Sequence, residues 1–136
     1  MATQPLQSPE IAVARAVKSA LDSLGDVEKD KDFWGFVKGW PSMMVQDGML
    51  QTLSFILSKA KDSEEGKKYQ ELFKAINHYA REILQLSEND SRNIIEYLIE
   101  ESLALEKYLY IENQLLNYVI WFKRIGLALK ADPSVR

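Results

Sequence analysis

The last third of the chain carries an apolar stripe that leaves little choice of fold. Tyr108, Ile111, Leu115, Tyr118, Phe122, Ile125 and Leu129 recur in alternating steps of three and four. Such steps return to one side of an α-helix, whereas a strand would scatter the same residues over both of its faces. Charge follows the same polarity. Residues 88 to 114 hold seven acids and two bases, and residues 115 to 136 hold four bases and one acid. A helix that is acidic early and basic late suits its own macrodipole.

The rest of the chain reads in the same period. Ser8-Pro9-Glu10 is a helix start, with serine to cap free amides, proline in the first position and an acid in the first turn. The stripe Val13, Val17, Leu21, Leu24 follows, so a first helix is predicted over 9–24, stopped by Gly25. Phe33, Trp34, Phe36 and Val37 form a dense aromatic piece that Gly39 and Pro41 should end. Ser42 would cap a short turn, interrupted again at Gly48. Met49, Leu53, Ile56 and Ala60 predict a helix over 49–61. A loop should follow over 62–66, then a helix over 67–85 carrying Tyr69, Leu72, Phe73, Ile76, Ala80 and Ile83. Ile94, Ile95, Leu98 and Ile99 mark a short helix, and no Gly or Pro decides whether the chain breaks near Ser102. Pro133 ends the last helix.

No segment alternates in steps of two between turn signals. The expected fold is therefore all-α: a compact bundle of about five to six helices forming one domain over 1–136, frayed at 1–8 and 133–136. A chain of 136 residues buries roughly two-thirds of its unfolded surface, enough for one core. No apolar run approaches the ~20 residues that a bilayer demands, and residues 1–9 lack the apolar core of a secretion signal. The absence of cysteine removes disulfides and thiolate chemistry and suits a reducing, cytoplasmic setting.

The signatures of catalysis are missing. Gly35 and Gly39 do not lead into a Lys-Ser or Lys-Thr pair, so there is no phosphate loop. The single histidine, His78, cannot furnish the paired Glu-x-x-His sets of a di-iron bundle. It falls with Lys67, Glu71, Lys74 and Arg81 on one helical face, which reads as a solvated surface with ordinary ion pairs. Glu100 and Glu101 point about 100° apart on a helix and cannot share a site. No catalytic residue, metal site, cofactor or small-molecule substrate is expected.

Binding is the remaining chemistry. Trp34 and Trp40 read first as core packing at the Pro and Gly corner; their functional alternative is as the candidate anchors of an interface. Arg15 and Lys18 lie off the stripe of the first helix, and Lys123 and Arg124 follow Trp121 near the end of the last. A basic corner of this kind could follow a phosphate backbone without reading bases; surface charge complementing the helix dipole is the alternative. A net charge of −3 and a pI of about 5.2 argue against tight autonomous RNA binding, because phosphate neutralisation supplies most of that affinity.

Three short motifs, in order, carry a likeness. They are Ala14-Arg15 in the first helix, Pro41 followed by Asp47-Gly48-Met49-Leu50-Gln51, and Trp121-Phe122-Lys123-Arg124 near the end. This pattern resembles the small subunit of the Cmr complex, the type III-B CRISPR RNA-silencing effector. The resemblance implies a helical subunit without activity of its own, several copies of which can stack beside the guide-holding backbone subunits. Its partners would be the backbone subunit, the large subunit and copies of itself, with weak, sequence-independent RNA contact and no membrane. By position, Arg15, Lys123 and Arg124 fall on the family's basic residues, and Lys18 is a neighbour. Asp47, Met49 and Gly126 depart from its usual asparagine, leucine and alanine. Gly126 should weaken a helix by roughly 1 kcal/mol and mark a close approach by a partner. The acidic balance favours scaffold contacts over RNA contacts. An unrelated helical adaptor that buries a partner helix against Trp34 and Trp40 is the second reading.

Overall fold

The computed structural model describes residues 8–136, which form six α-helices: α1 (Pro9–Asp22), α2 (Lys31–Asp47), α3 (Met49–Lys59), α4 (Glu64–Ile83), α5 (Ile94–Glu100) and α6 (Leu105–Ile125). A π-helical turn, Gly126–Lys130, and a short 3-10 turn, Pro133–Val135, complete the chain. No strand occurs among the described residues. The all-α expectation and the helix count hold. Of the fraying expected over 1–8, residues 1–7 lie outside the described residues, and Ser8 is held in place as the cap of α1.

The last helix is the axis of the bundle. It packs against α1, α2 and α4, while α3 packs against α2, α4 and α5. The stripe explains why: Ile111, Leu115 and Phe122 are wholly buried and Tyr118 is 1% exposed. The stripe fails at its end, where Leu129 is 68% exposed. There the backbone bonds widen from i→i+4 to i→i+5, as in the 2.9 Å bond from the Ala131 amide to the Gly126 carbonyl. A wider turn advances each residue through a smaller angle, so Leu129 lags behind the buried side.

Caps set the ends of several helices. Ser8 accepts from the Ile11 amide at 3.1 Å and starts α1 where the sequence places it. Asp30 accepts from Phe33 at 3.0 Å and starts α2, and its carboxylate also pairs with Lys68 of α4. Desolvation pushes the Asp30 carboxyl up, but the bonds from Lys68 and the Phe33 amide outweigh it and hold the group below its usual value. Asn93 and Glu96 form a reciprocal capping box at α5. Between α5 and α6 the chain does break, with Glu101 in an extended conformation.

Two expectations fail for physical reasons. The helix of the aromatic piece does not end at Gly39 or Pro41; α2 runs through both to Asp47. An interior proline costs about 3 kcal/mol. Here Val37 and Trp40 are fully buried and Met44 nearly so, and their packing keeps the helix continuous past the missing bond. The break comes at Gly48, whose φ of +89° favours glycine. The tail is not frayed either. The Asp132 amide donates to the Glu28 carbonyl at 2.8 Å, Lys130 pairs with Glu28 at 3.2 Å, and Val135 is buried.

Glycine also serves where space is short. A Cβ on Gly66 would lie 2.1 Å from the Lys61 carbonyl oxygen, so the turn into α4 closes only on glycine. A Cβ on Gly126 would lie 2.8 Å from the Trp34 ring. The close approach that Gly126 marks is therefore made by α2 of the same chain, not by a partner. Trp34 is held there by its indole N–H, which donates to the Val27 carbonyl at 2.7 Å. Alanine at 126 gains about 1 kcal/mol of helix propensity but overpacks a fixed ring at a cost of roughly 1–3 kcal/mol. We expect Gly126→Ala to lower stability by about 1 kcal/mol in urea unfolding; a variant as stable as the parent would show that the ring has room to move.

Candidate interaction surface

The four candidate cations flank α6. Arg15 and Lys18 stand exposed on α1 and, with Ile11 and Ala14, line a shallow groove of about 390 Å³ closed by Ile125 and Leu129. Lys18 pairs with Asp22 at 2.7 Å, both side chains more than half exposed, a bond worth only a few tenths of a kcal/mol. Arg124 is exposed on the solvent side of α6, and Lys123 is half-buried. Lys123 follows Leu116 and Ile120 at helical spacing, and those two line a second groove with Pro41, Ser42, Val45 and Gln46 of α2. Arg15 and Lys18 thus border the α1 side of α6, and Lys123 looks toward the α2 side.

The two tryptophans named as anchors are wholly buried. Trp34 meets Phe33 edge to face at 5.1 Å, and Trp40 meets Phe122 at 5.5 Å in the same way. Neither offers a ring to a partner in this fold, because the continuous α2 turns both inward to fill the space against α6. Trp121, beside them in the sequence pattern, is half-buried.

The face around His78 is divided. Lys74 reaches Glu71 at 3.5 Å, and His78 pairs with Glu82 at 2.9 Å with both side chains largely exposed. Arg81 turns away and ties down the following loop, donating to the carbonyls of Ser87, Asp90 and Arg92. Arg92 in turn binds Asp90 and Glu101, each at 2.8 Å. The hydrogen bonds from Arg92 hold the Asp90 carboxyl down at about 2. This network has a structural use: it fixes the chain between α4 and α5.

Between α1 and α4 lies a cleft of about 330 Å³ lined by Ser19, Ser23, Lys74, His78, Tyr79 and Tyr118, among others. The Tyr118 hydroxyl is buried there without a hydrogen-bond partner, and burial pushes its pKa well up. Tyr79 packs on the same ring at 4.6 Å.

One long-range contact has a faint signature in the sequence. The first amide of α3 donates to a Glu112 carboxylate oxygen at 3.2 Å, and α3 has no cap of its own. Glu112 interrupts a second stripe on α6, formed by Leu105, Leu109, Leu116 and Ile120. A lone acid inside an apolar row is the signal for such a bond. The stripe itself is the larger omission, since Leu105 is 71% and Leu109 46% exposed.

Among the described residues no three or more His, Cys, Asp or Glu side chains gather to hold a metal ion, and no helix is long and apolar enough to cross a membrane. Shallow apolar grooves, one of them bordered by Arg15 and Lys18, mark this helical block as a candidate interaction module. The comparisons place it among known proteins. Residues 10–129 match the family model described as CRISPR-associated protein Cmr5. The chain is 34% identical over 115 residues to the CRISPR system Cmr subunit Cmr5 of Thermotoga maritima, covering 82% of this chain and 79% of that protein. This chain belongs to the Cmr5 family. No solved structure matches it.

An unpartnered buried hydroxyl costs about 1–3 kcal/mol of desolvation. Tyr118→Phe is therefore expected to raise stability by about 1 kcal/mol, read as a higher Tm. A lower Tm would mean that the hydroxyl has a partner in solution.

Proposed function

We propose that this chain is a non-catalytic subunit of a type III-B CRISPR Cmr complex, working in the cytoplasm, where stacked copies support the guide–target RNA. The family match, which runs from the first helix through Lys123 and Arg124, is the observation that carries the reading. Its Thermotoga relative is named as a Cmr subunit. The only histidine is exposed and paired to Glu82, which fits a chain that contributes surface and not chemistry.

Within this reading the backbone and large subunits are its partners, and RNA is a secondary contact. An acidic chain cannot rely on phosphate neutralisation for most of its affinity. Arg124 and Lys123 are suited to touch a backbone that other subunits already hold in place, and Arg15 and Lys18 to do so from the other flank of α6.

Co-expression with the remaining Cmr subunits tests the assignment, since a chain that never co-elutes with the assembly does not belong to it. Lys123→Glu with Arg124→Glu is expected to weaken RNA-dependent retention more at about 50 mM salt than at about 300 mM, because exposed charges are screened. Equal loss at both would identify a packing contact instead.

A further inference from the structure

The cleft between α1 and α4 borders a polar atom that the fold itself leaves without use. Folded chains leave few buried polar groups unpaired, and each one calls for an explanation. Tyr118 is 1% exposed, and its hydroxyl has no hydrogen-bond partner. Burial, with Tyr79 beside it, pushes its pKa well up, so the group stays an O–H donor at physiological pH. What it lacks is an acceptor. The cleft that Tyr118 lines is about 330 Å³, within the range of small-ligand sites.

The walls narrow the choice of ligand. On the α1 side only small residues line the cleft, Ala16, Ser19, Ala20 and Ser23, which leaves a slot open along that helix. Glu71, Lys74, His78 and Glu82 stand on the α4 side, and no charged side chain of α1 or α6 lines the cleft. Two carboxylates against one ammonium and one imidazole leave the rim neutral at most, so a phosphate or carboxylate ligand is not favoured there. Each carboxylate spends one oxygen on its cation. Glu71 Oε1 meets Lys74 at 3.5 Å, and Glu82 Oε1 meets His78 at 2.9 Å. The second oxygen of each has no partner among the described residues and is left to accept.

A matching ligand is uncharged, with an acceptor for Tyr118 and a donor for the rim. It also has a flat face for the half-buried Tyr79 ring, which packs on Tyr118 at 4.6 Å and turns aside to admit it. A nucleobase with a carbonyl beside a ring N–H carries all of these on one planar edge. A carboxamide side chain offers the same edge without the ring and fills less of the space.

We infer that this cleft takes one unstacked base of the uracil or guanine type, its carbonyl accepting from the Tyr118 hydroxyl and its N–H donating to Glu71 or Glu82. The base comes from a free nucleoside or from single-stranded RNA. The inference goes beyond the reading of the chain as a Cmr subunit, in which RNA is touched through its backbone, and requires no other subunit.

Titration of the purified chain with uridine, followed by amide NMR, provides the test. Saturable shifts should centre on residues 16–23, 71–82 and 118. Tyr118→Phe, and in the parent the analogue N3-methyluridine, which lacks the N–H, should each weaken binding by about tenfold. Ser19→Leu, at an exposed position, should block the slot with the Tm unchanged. Inorganic phosphate should leave those amides unmoved. Hexauridylate identifies the source through the same amides: tighter binding than uridine points to a base splayed from RNA, weaker binding to a free nucleoside. Absent saturable shifts, Tyr118→Phe binding uridine as the parent does, or phosphate competing with uridine would each overturn the inference. So would propionamide binding as tightly as uridine, in favour of a partner's carboxamide side chain. Uridine binding by a chain that never co-elutes with the Cmr assembly would overturn only the functional reading. Co-elution without uridine binding would overturn only the cleft.

Discussion

The contact on which this fold turns is the meeting of the Trp34 ring with Gly126. Trp34 is wholly buried, anchored by its indole bond to Val27, and leaves no room for a side chain opposite. It joins α2 to the C-terminal end of α6, with Leu21 of α1 also close to Gly126. The helix widens into a π turn at that glycine. The widening carries Leu129 out of the core and onto the surface beside Arg15 and Lys18. Core packing at one glycine thus shapes the basic groove several residues away.

Most of the fold was legible in the sequence, because period and caps act locally. The Ser8 cap, the stripe of α6 from Ile111 to Phe122 and the glycine at 48 all work through neighbours within a turn or two. What was not legible depends on contacts between distant segments. Pro41 stays inside α2 because residues on either side of it are buried against other helices. The tail is ordered because Asp132 and Lys130 reach Glu28, about a hundred residues earlier. Arg81 reads as surface charge in the sequence but closes the loop after α4. Asp30 combines both scales, capping α2 locally and pairing with Lys68 at a distance.

The candidate site was only partly legible. Charged residues could be picked out, but not how they would be distributed around α6. The tryptophans read first as core packing, and their type, favoured at interfaces, left an anchor role as the alternative. The fold spends them on the core, and the exposed apolar surface falls to Leu105, Leu109, Ile11 and Leu129 instead. The second stripe of α6 went unread beside the stronger first one, since a helix with apolar residues on two sides shows one dominant period. Membership in the Cmr5 family gives this surface its setting: that of one subunit in a multi-subunit Cmr complex.

Hydrogen–deuterium exchange on the chain alone and within the assembled Cmr complex tests that account most directly. Residues 11–18, 99–109 and 125–129, at the two ends of α6, should gain protection on assembly, while the already buried centre of α6 changes little. Unchanged exchange at both ends, or protection confined to the cleft between α1 and α4, would contradict it.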